Sequence, residues 1–182
     1  MNLLDTLTAL EENDSIHLAR ILILINTFAG INGAGKIEGL TKLAKLDFLL
    51  RYPQYLEKAL IKKGASTKKL YIEDHERKSI ESKMVRYRFG PWDFRYRKFL
   101  NTLVAKGLVN VETKGKTILI SVTTTGMQVA NDLAQHDAFI DISMRTHILK
   151  TNFNVQATTL MRFIYDTFPE IISLRMGEEI TK

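Results

Sequence analysis

Gly30, Gly35 and Lys36, within the stretch GINGAGK, meet most of the phosphate-loop pattern G-x-x-x-x-G-K-[ST]. Such a loop works because backbone N–H groups cradle phosphate, the lysine reaches the terminal phosphates and a hydroxyl holds magnesium. Position 37 is isoleucine, which cannot ligate a metal. The chemistry also needs a buried strand before the loop and a helix after it. Here the preceding residues, Ile16 to Leu24, carry apolar side chains at helical spacing and nearly all round. The stretch therefore reads as a turn in which Gly30, Gly33 and Gly35 supply positive φ.

Glu81-Ser82-Lys83 matches the E-x-K half of a metal-dependent nuclease. That reaction needs a further upstream aspartate and places its acids on a strand around a water-activating metal. KSIESKMVRY reads instead as helical, with Ile80, Met84 and Tyr87 as a stripe, so Glu81 and Lys83 would diverge. His17, His75, His136 and His147 form neither H-x-x-x-H nor H-E-x-x-H, and G-x-S-x-G is absent. His17 is expected at the start of a buried helix with a local hydrogen bond. The expectation is a chain with no enzymatic activity, no cofactor and no metal.

The 182 residues are 45% apolar and 25% charged, with no cysteine. Such a chain builds a sizeable core without disulfides or thiolate metal sites. The longest greasy run, ARILILINTFAG, is too short to span a bilayer, and the first residues are acidic rather than signal-like. A soluble cytoplasmic protein is expected. The net charge of +6 is uneven: −3 over residues 1–35, +10 over 36–106 and −1 over 107–182. A basic middle points either to a polyanion or to a solvated lysine-rich face.

Leu3, Leu4, Leu7 and Leu10 predict a short amphipathic docking helix over 1–14. Asp14 or Ser15 then caps a second helix that ends near Ala29. Leu40, Leu43, Leu46 and Leu50 line one face of the next, with Lys42 and Lys45 off it; Pro53 interrupts and QYLEKALIKK resumes. Gly90-Pro91 forces a break before a helix from Trp92 or Asp93. Its inward stripe is Tyr96, Phe99, Leu100, Leu103 and Val104, with Arg95, Arg97, Lys98, Asn101, Thr102 and Ala105 around the other side. LVNVETKGKTILISV changes to strand period around Lys114-Gly115-Lys116, a hairpin signal. Thr123 or Thr124 caps the helix after it, and helices near 136–150 and 155–168 follow, the last with Leu160, Phe163, Ile164 and Phe168 inward.

Helix, helix, amphipathic helix, tight hairpin, helix is the order of a winged helix-turn-helix. The fold class expected is mainly α with a small β-hairpin. The core domain is 15–134 with an insertion at about 52–92, and 135–182 is a C-terminal helical extension. In such a domain the third helix can enter the major groove while the wing meets phosphate. That makes Arg95, Lys98, Asn101, Thr102, Lys114 and Lys116 candidate DNA contacts, joined by Arg86 and Arg88 of the arginine-aromatic run RYRFGPWDFRYRKF. The same run suits protein interfaces, where Trp, Tyr and Arg concentrate. Leu3, Leu7, Trp92, Phe94, Phe163 and Phe168 are the candidate partner contacts. Alternatively, Trp92, Phe94 and Tyr96 only seat the inserted segment on the core. A stand-alone dimeric winged-helix transcription regulator is the competing function, and a nuclease using Glu81 a third.

LTKLAKLDFLLRYP (40–53), IESKMVRYRFGPWDFRYRKFLNTLVAKGLV (80–109) and the following GKTILISVTTTG together resemble a known family. It is the small middle component of bacterial ABC three-component conflict systems, which include the Lamassu anti-phage and anti-plasmid complexes. The similarity spans roughly residues 16–134, and E-S-K-M-x-R-Y-R-x-G-P-W is its most specific part. The resemblance implies a non-catalytic winged-helix subunit that bridges an SMC-like ABC ATPase and an effector, often a nuclease. The ATPase would carry the working phosphate loop.

Overall fold

In the computed structural model residues 3–78, 83–88 and 90–181 are described, with side chains from residue 14 onward. The chain is mainly helical, with one three-stranded antiparallel sheet and a separate two-stranded hairpin. The first helix, α1 (Leu3–Ala29), is continuous. Asp14 and Ser15 therefore lie inside a helix and cap nothing. No glycine or proline falls between residues 3 and 29, so nothing halts propagation once the buried half is formed. The helix stops at Gly30, whose φ of 76° and N–H to the Asn26 and Thr27 carbonyls close its last turn.

Gly33 also takes positive φ, but Gly35 does not. Gly35 is needed for close approach: a Cβ there would sit 2.4 Å from the Phe28 carbonyl oxygen. The chain thus folds back on the helix end and enters a short strand, β1 (Ile37–Glu38). Helix before and strand after is the reverse of a phosphate loop. Ile37 is fully buried and registers with Ile120.

α2 (Leu40–Arg51) is buried almost all round, because α3, α7, α8 and both β layers meet it on different sides. Lys42 and Lys45 are consequently inside rather than off the packed face. Lys42 Nζ donates to Asn154 Oδ1 (3.1 Å), and Lys45 Nζ to the Thr41 carbonyl (3.2 Å). Burial pushes the Lys45 amine down to about 8. Pro53 opens α3 (Pro53–Lys62), where its missing N–H costs nothing. A short α4 (Asp74–Lys78) follows.

The stretch read as helical through Tyr87 is different. Ile80, Glu81 and Ser82 lie outside the described residues, while Val85–Tyr87 is a strand, β2, paired antiparallel with β3 (Gly90–Trp92). Gly90-Pro91 belongs to that hairpin instead of merely breaking a helix. Val85 is β-branched, and Met84 beside it is fully buried, so the local period is that of a strand next to a core anchor. α5 (Tyr96–Ala105) begins later than Trp92, after an Asx turn in which Asp93 accepts the Arg95 N–H (2.9 Å). Tyr96, Phe99, Leu100 and Leu103 face inward; Val104 does not, being 42% exposed.

β4 (Val109–Lys114) and β5 (Thr117–Val122) pair in register from Val109↔Val122 to Lys114↔Thr117, and the sheet order is β1–β5–β4. Gly115 and Lys116 form the turn; Gly115 has φ of 60° and Lys116 does not share it, the pattern of a type II′ hairpin. Thr123 caps α6 (Thr124–Gln135) by accepting the Gly126 N–H. A 3₁₀ turn leads to α7 (Ile140–Phe153), α8 (Ala157–Thr167) and α9 (Pro169–Ser173). Leu149, Phe153, Leu160, Ile164 and Phe168 enter the same core as Leu22, Phe48 and Phe99. Phe168 is completely buried, edge-on to Phe48 and Tyr55, so it is a core residue and offers no docking surface.

Candidate macromolecular interface

The orientation of α5 is set by buried charge. Asp47, fully buried on α2, accepts from Arg20 Nε (2.7 Å), Arg51 Nε (2.8 Å) and Tyr96 Oη (2.7 Å). Arg51 continues to Asp93 (2.8 Å), and Asp93 to Arg95 (2.8 Å). Burial alone would raise the Asp47 carboxyl; the charges of Arg20 and Arg51, with the hydrogen bonds from Arg20 and Tyr96, overcome it and hold it well below the usual range. Asp93 is likewise desolvated, yet Arg95 and Arg51 bring it to about 2. His17 answers Arg20 at 2.8 Å through Nδ1, and burial, then the Arg20 charge, presses it down to about 3. It is neutral at pH 7, with Nδ1 accepting and the proton on Nε2. The local bond expected of His17 is present, three residues along one helix turn. The network ties α1, α2 and the start of α5 together. It left no sequence signal, since Arg20 and Asp47 are 27 residues apart.

Outside this clamp, α5 and the β4–β5 hairpin enclose a groove of about 660 Å³ that the start of α2 closes. Arg97, Asn101 and Val104 come from α5, Val111 and Lys116 from the hairpin, and Glu38 is its one acid. Val111, like Val104, is exposed (38%). Among the described residues, Arg97, Lys106, Lys114 and Lys116 have no ion-pair partner. Lys98 is exposed but paired with Asp14 (2.5 Å), and the Thr102 hydroxyl donates to the Lys98 carbonyl (2.9 Å). Arg95 is half-buried, held on Asp93 and stacked over Phe99 at 5.3 Å. The structure thus brings Asn101 and Lys116 together, adds Arg97, and places Arg95 in the clamp. Arg97 was visible as a flanking residue; only the hairpin's position singles it out.

The β2–β3 hairpin carries a second surface. Tyr87 stacks on Trp92 (6.0 Å, 29°) and meets Phe94 edge-on (5.5 Å), while Trp92 rests on buried Tyr96 (5.5 Å, 72°). Phe94 is 64% exposed and Tyr87 40%. Trp92 thus rests on Tyr96 and stacks with Tyr87, partly buried between core and surface. The chain's end braces this hairpin: the Arg86 N–H donates to the Glu178 carbonyl, and the Tyr52 hydroxyl bridges the Met84 N–H and the Ile180 carbonyl. Arg86 is half-buried and Arg88 exposed. Phe163 is half-buried against Phe153 (5.4 Å). The side chains of Leu3 and Leu7 lie outside the described residues. Lys83, the described end of the E-x-K string, pairs with Glu179 (3.0 Å) just before β2.

Among the described residues no three His, Asp or Glu side chains gather as a metal site, and no helix is long and apolar enough to cross a membrane. Set against family models, curated proteins and solved structures, the chain matches none.

Proposed function

We propose that this chain is a winged helix-turn-helix accessory subunit: it bridges an SMC-like ABC ATPase and an effector nuclease in a bacterial anti-phage or anti-plasmid complex, contacts DNA, and breaks no bonds itself. The observation that carries the reading is topological. Helix α1, strand β1, helix α2, helix α5 and hairpin β4–β5, with strand order β1–β5–β4, follow the order that a winged helix would have, which supports the reading. The inserted segment between α2 and α5 accounts for the departure from the plain motif. DNA contact is supported by Arg97, Lys106, Lys114 and Lys116, which stand unpaired on or next to the reading helix and wing.

The partner assignment rests on the Glu81–Trp92 string and its neighbours. Its described residues build the hairpin that shows Tyr87 and Trp92, and adjoining Phe94 completes an aromatic face suited to a protein partner. Co-expression with an SMC-like ABC ATPase tests this directly. A complex that survives gel filtration is expected, and Trp92→Ala with Phe94→Ala should release the ATPase without unfolding the chain. A chain that ignores the ATPase but shifts one operator sequence far more strongly than others would be a transcription regulator instead.

A further inference from the structure

A loop after α3, tied at both ends, folds two adjacent lysines over α7. We propose that the cleft beneath them binds a small phosphorylated molecule with an apolar body, of the size of a mononucleotide. The ties come first. Gly64, with φ of 70°, closes α3: its N–H reaches the Ile61 carbonyl (3.0 Å), and the Ala65 N–H reaches that of Leu60 (2.9 Å). At the far end the Tyr71 carbonyl accepts from Arg145 of α7 (2.8 Å), which also grips Glu76. Between them the Leu70 N–H closes a turn on the Thr67 carbonyl (2.9 Å), and the Ser66 hydroxyl oxygen accepts the Lys68 N–H (3.3 Å). The loop backbone is therefore fixed before any guest arrives.

The cleft it makes with α7 measures about 640 Å³, within the range of small-molecule sites. Lys68, Lys69, His147 and Ser66 are its polar groups, Met144 and Ile148 its apolar surface, and none of its lining residues is a carboxylate. In an extended chain adjacent side chains point to opposite sides; the turn on Thr67 brings both lysines to one cleft. Gathering like charges is unfavourable unless an anion offsets it. Elsewhere the chain supplies one: Lys36, Lys83 and Lys98 each have a carboxylate at 3.0 Å or less. Among the described residues Lys68 and Lys69 have no ion-pair partner. The missing anion is external. Two ammonium groups and the Ser66 O–H suit the several oxygens of a phosphate. Met144, 42% exposed, has no use for phosphate alone, so the ligand carries an apolar part. A duplex is too wide to enter a cleft of this volume and would leave Met144 uncovered. This inference goes beyond the ATPase and DNA readings and depends on neither.

Isothermal titration calorimetry of the full chain with adenosine monophosphate, inorganic phosphate and adenosine tests it. The nucleotide should bind with a Kd of about 1 mM or below, and phosphate and adenosine each about tenfold more weakly. Lys68→Ala with Lys69→Ala should weaken the nucleotide about tenfold or more, with circular dichroism and melting unchanged. Met144→Ala should weaken it roughly threefold and leave phosphate as it was. Lys114→Glu with Lys116→Glu, which strips the wing, should leave nucleotide binding untouched. No heat from the nucleotide at about 10 mM, or equal affinity with and without the two lysines, overturns the proposal. So does equal affinity for nucleotide and phosphate, which would make the cleft a bare cationic surface. Duplex binding lost in the Lys68→Ala, Lys69→Ala chain, with no nucleotide bound by the wild type, would assign those lysines to nucleic acid and overturn it too.

Discussion

Two groups of basic residues, which come within two positions of each other at Arg95 and Arg97, have opposite fates. Arg20, Arg51 and Arg95 converge on Asp47 and Asp93 and are consumed in holding α5 to α1 and α2. Arg97, Lys106, Lys114 and Lys116 have no such partner and edge the outer surface. Neighbouring positions 95 and 97 are therefore not equivalent, although both are arginines on the same basic stretch. Net charge overstates the charge that stands free on the surface: part of the positive middle is structural. What separates the groups is the carboxylate within reach, because a desolvated guanidinium persists only with a paired anion.

The comparison breaks most sharply at Asp47. Asp47→Ala leaves Arg20 buried without an anion and Arg51 with Asp93 alone, and should cost about 3–5 kcal/mol, measured by urea unfolding. An equivalent substitution on the other side, Lys114→Glu with Lys116→Glu, should leave the melting curve nearly unchanged. It should instead abolish duplex binding in fluorescence anisotropy. For the wild-type chain, four unpaired cations predict a slope of about −3 to −4 in log affinity against log salt. A slope near zero would detach the groove from DNA altogether.

Acid sharpens the distinction further. Asp93 has a folded value near 2 against 3.8 for a free aspartate, so its contribution is complete above the unfolded value and fades as pH falls towards 2. Asp47 shifts in the same direction and fades in the same sense. His17 acts earlier: held near 3 when folded and 6.5 when free, it takes up a proton more readily in the unfolded chain. Stability should therefore already decline as pH drops below 6.5. His17→Phe should flatten the part of the stability profile between about 6 and 4 and leave the steeper carboxylate part in place. The smallest effect expected is at Lys45. Replacing that buried amine by methionine should raise stability by about 1 kcal/mol at neutral pH, read as a shift in the urea midpoint.

Local chemistry made several elements legible. The end of α1 at Gly30, the hairpin at Lys114-Gly115-Lys116 and the Thr123 cap follow from glycine conformation and a hydroxyl placed to meet free N–H groups, so short windows suffice. The inward side of α5 was equally plain through Leu103, because helical period and burial coincide there. Val104 fell outside because a fifth apolar position exceeds what the core can cover, and it turns towards the hairpin instead.

Composition and spacing alone determined a helical chain with one basic centre, a hairpin after a half-apolar helix, and a glycine turn followed by isoleucine where a phosphate loop has a hydroxyl. Tertiary structure decided the rest. It decided which cations are neutralised, since Asp47 reaches Arg20 only when the fold brings their two helices within side-chain reach. It turned Val85–Tyr87 into a strand through pairing with Gly90–Trp92 and bracing by the chain's last residues. It also carried Phe168 and the buried lysines of α2 into a core that the far end of the chain completes. Each of these depends on partners tens of residues away, and desolvation and long-range pairing leave no mark on the spacing of neighbours.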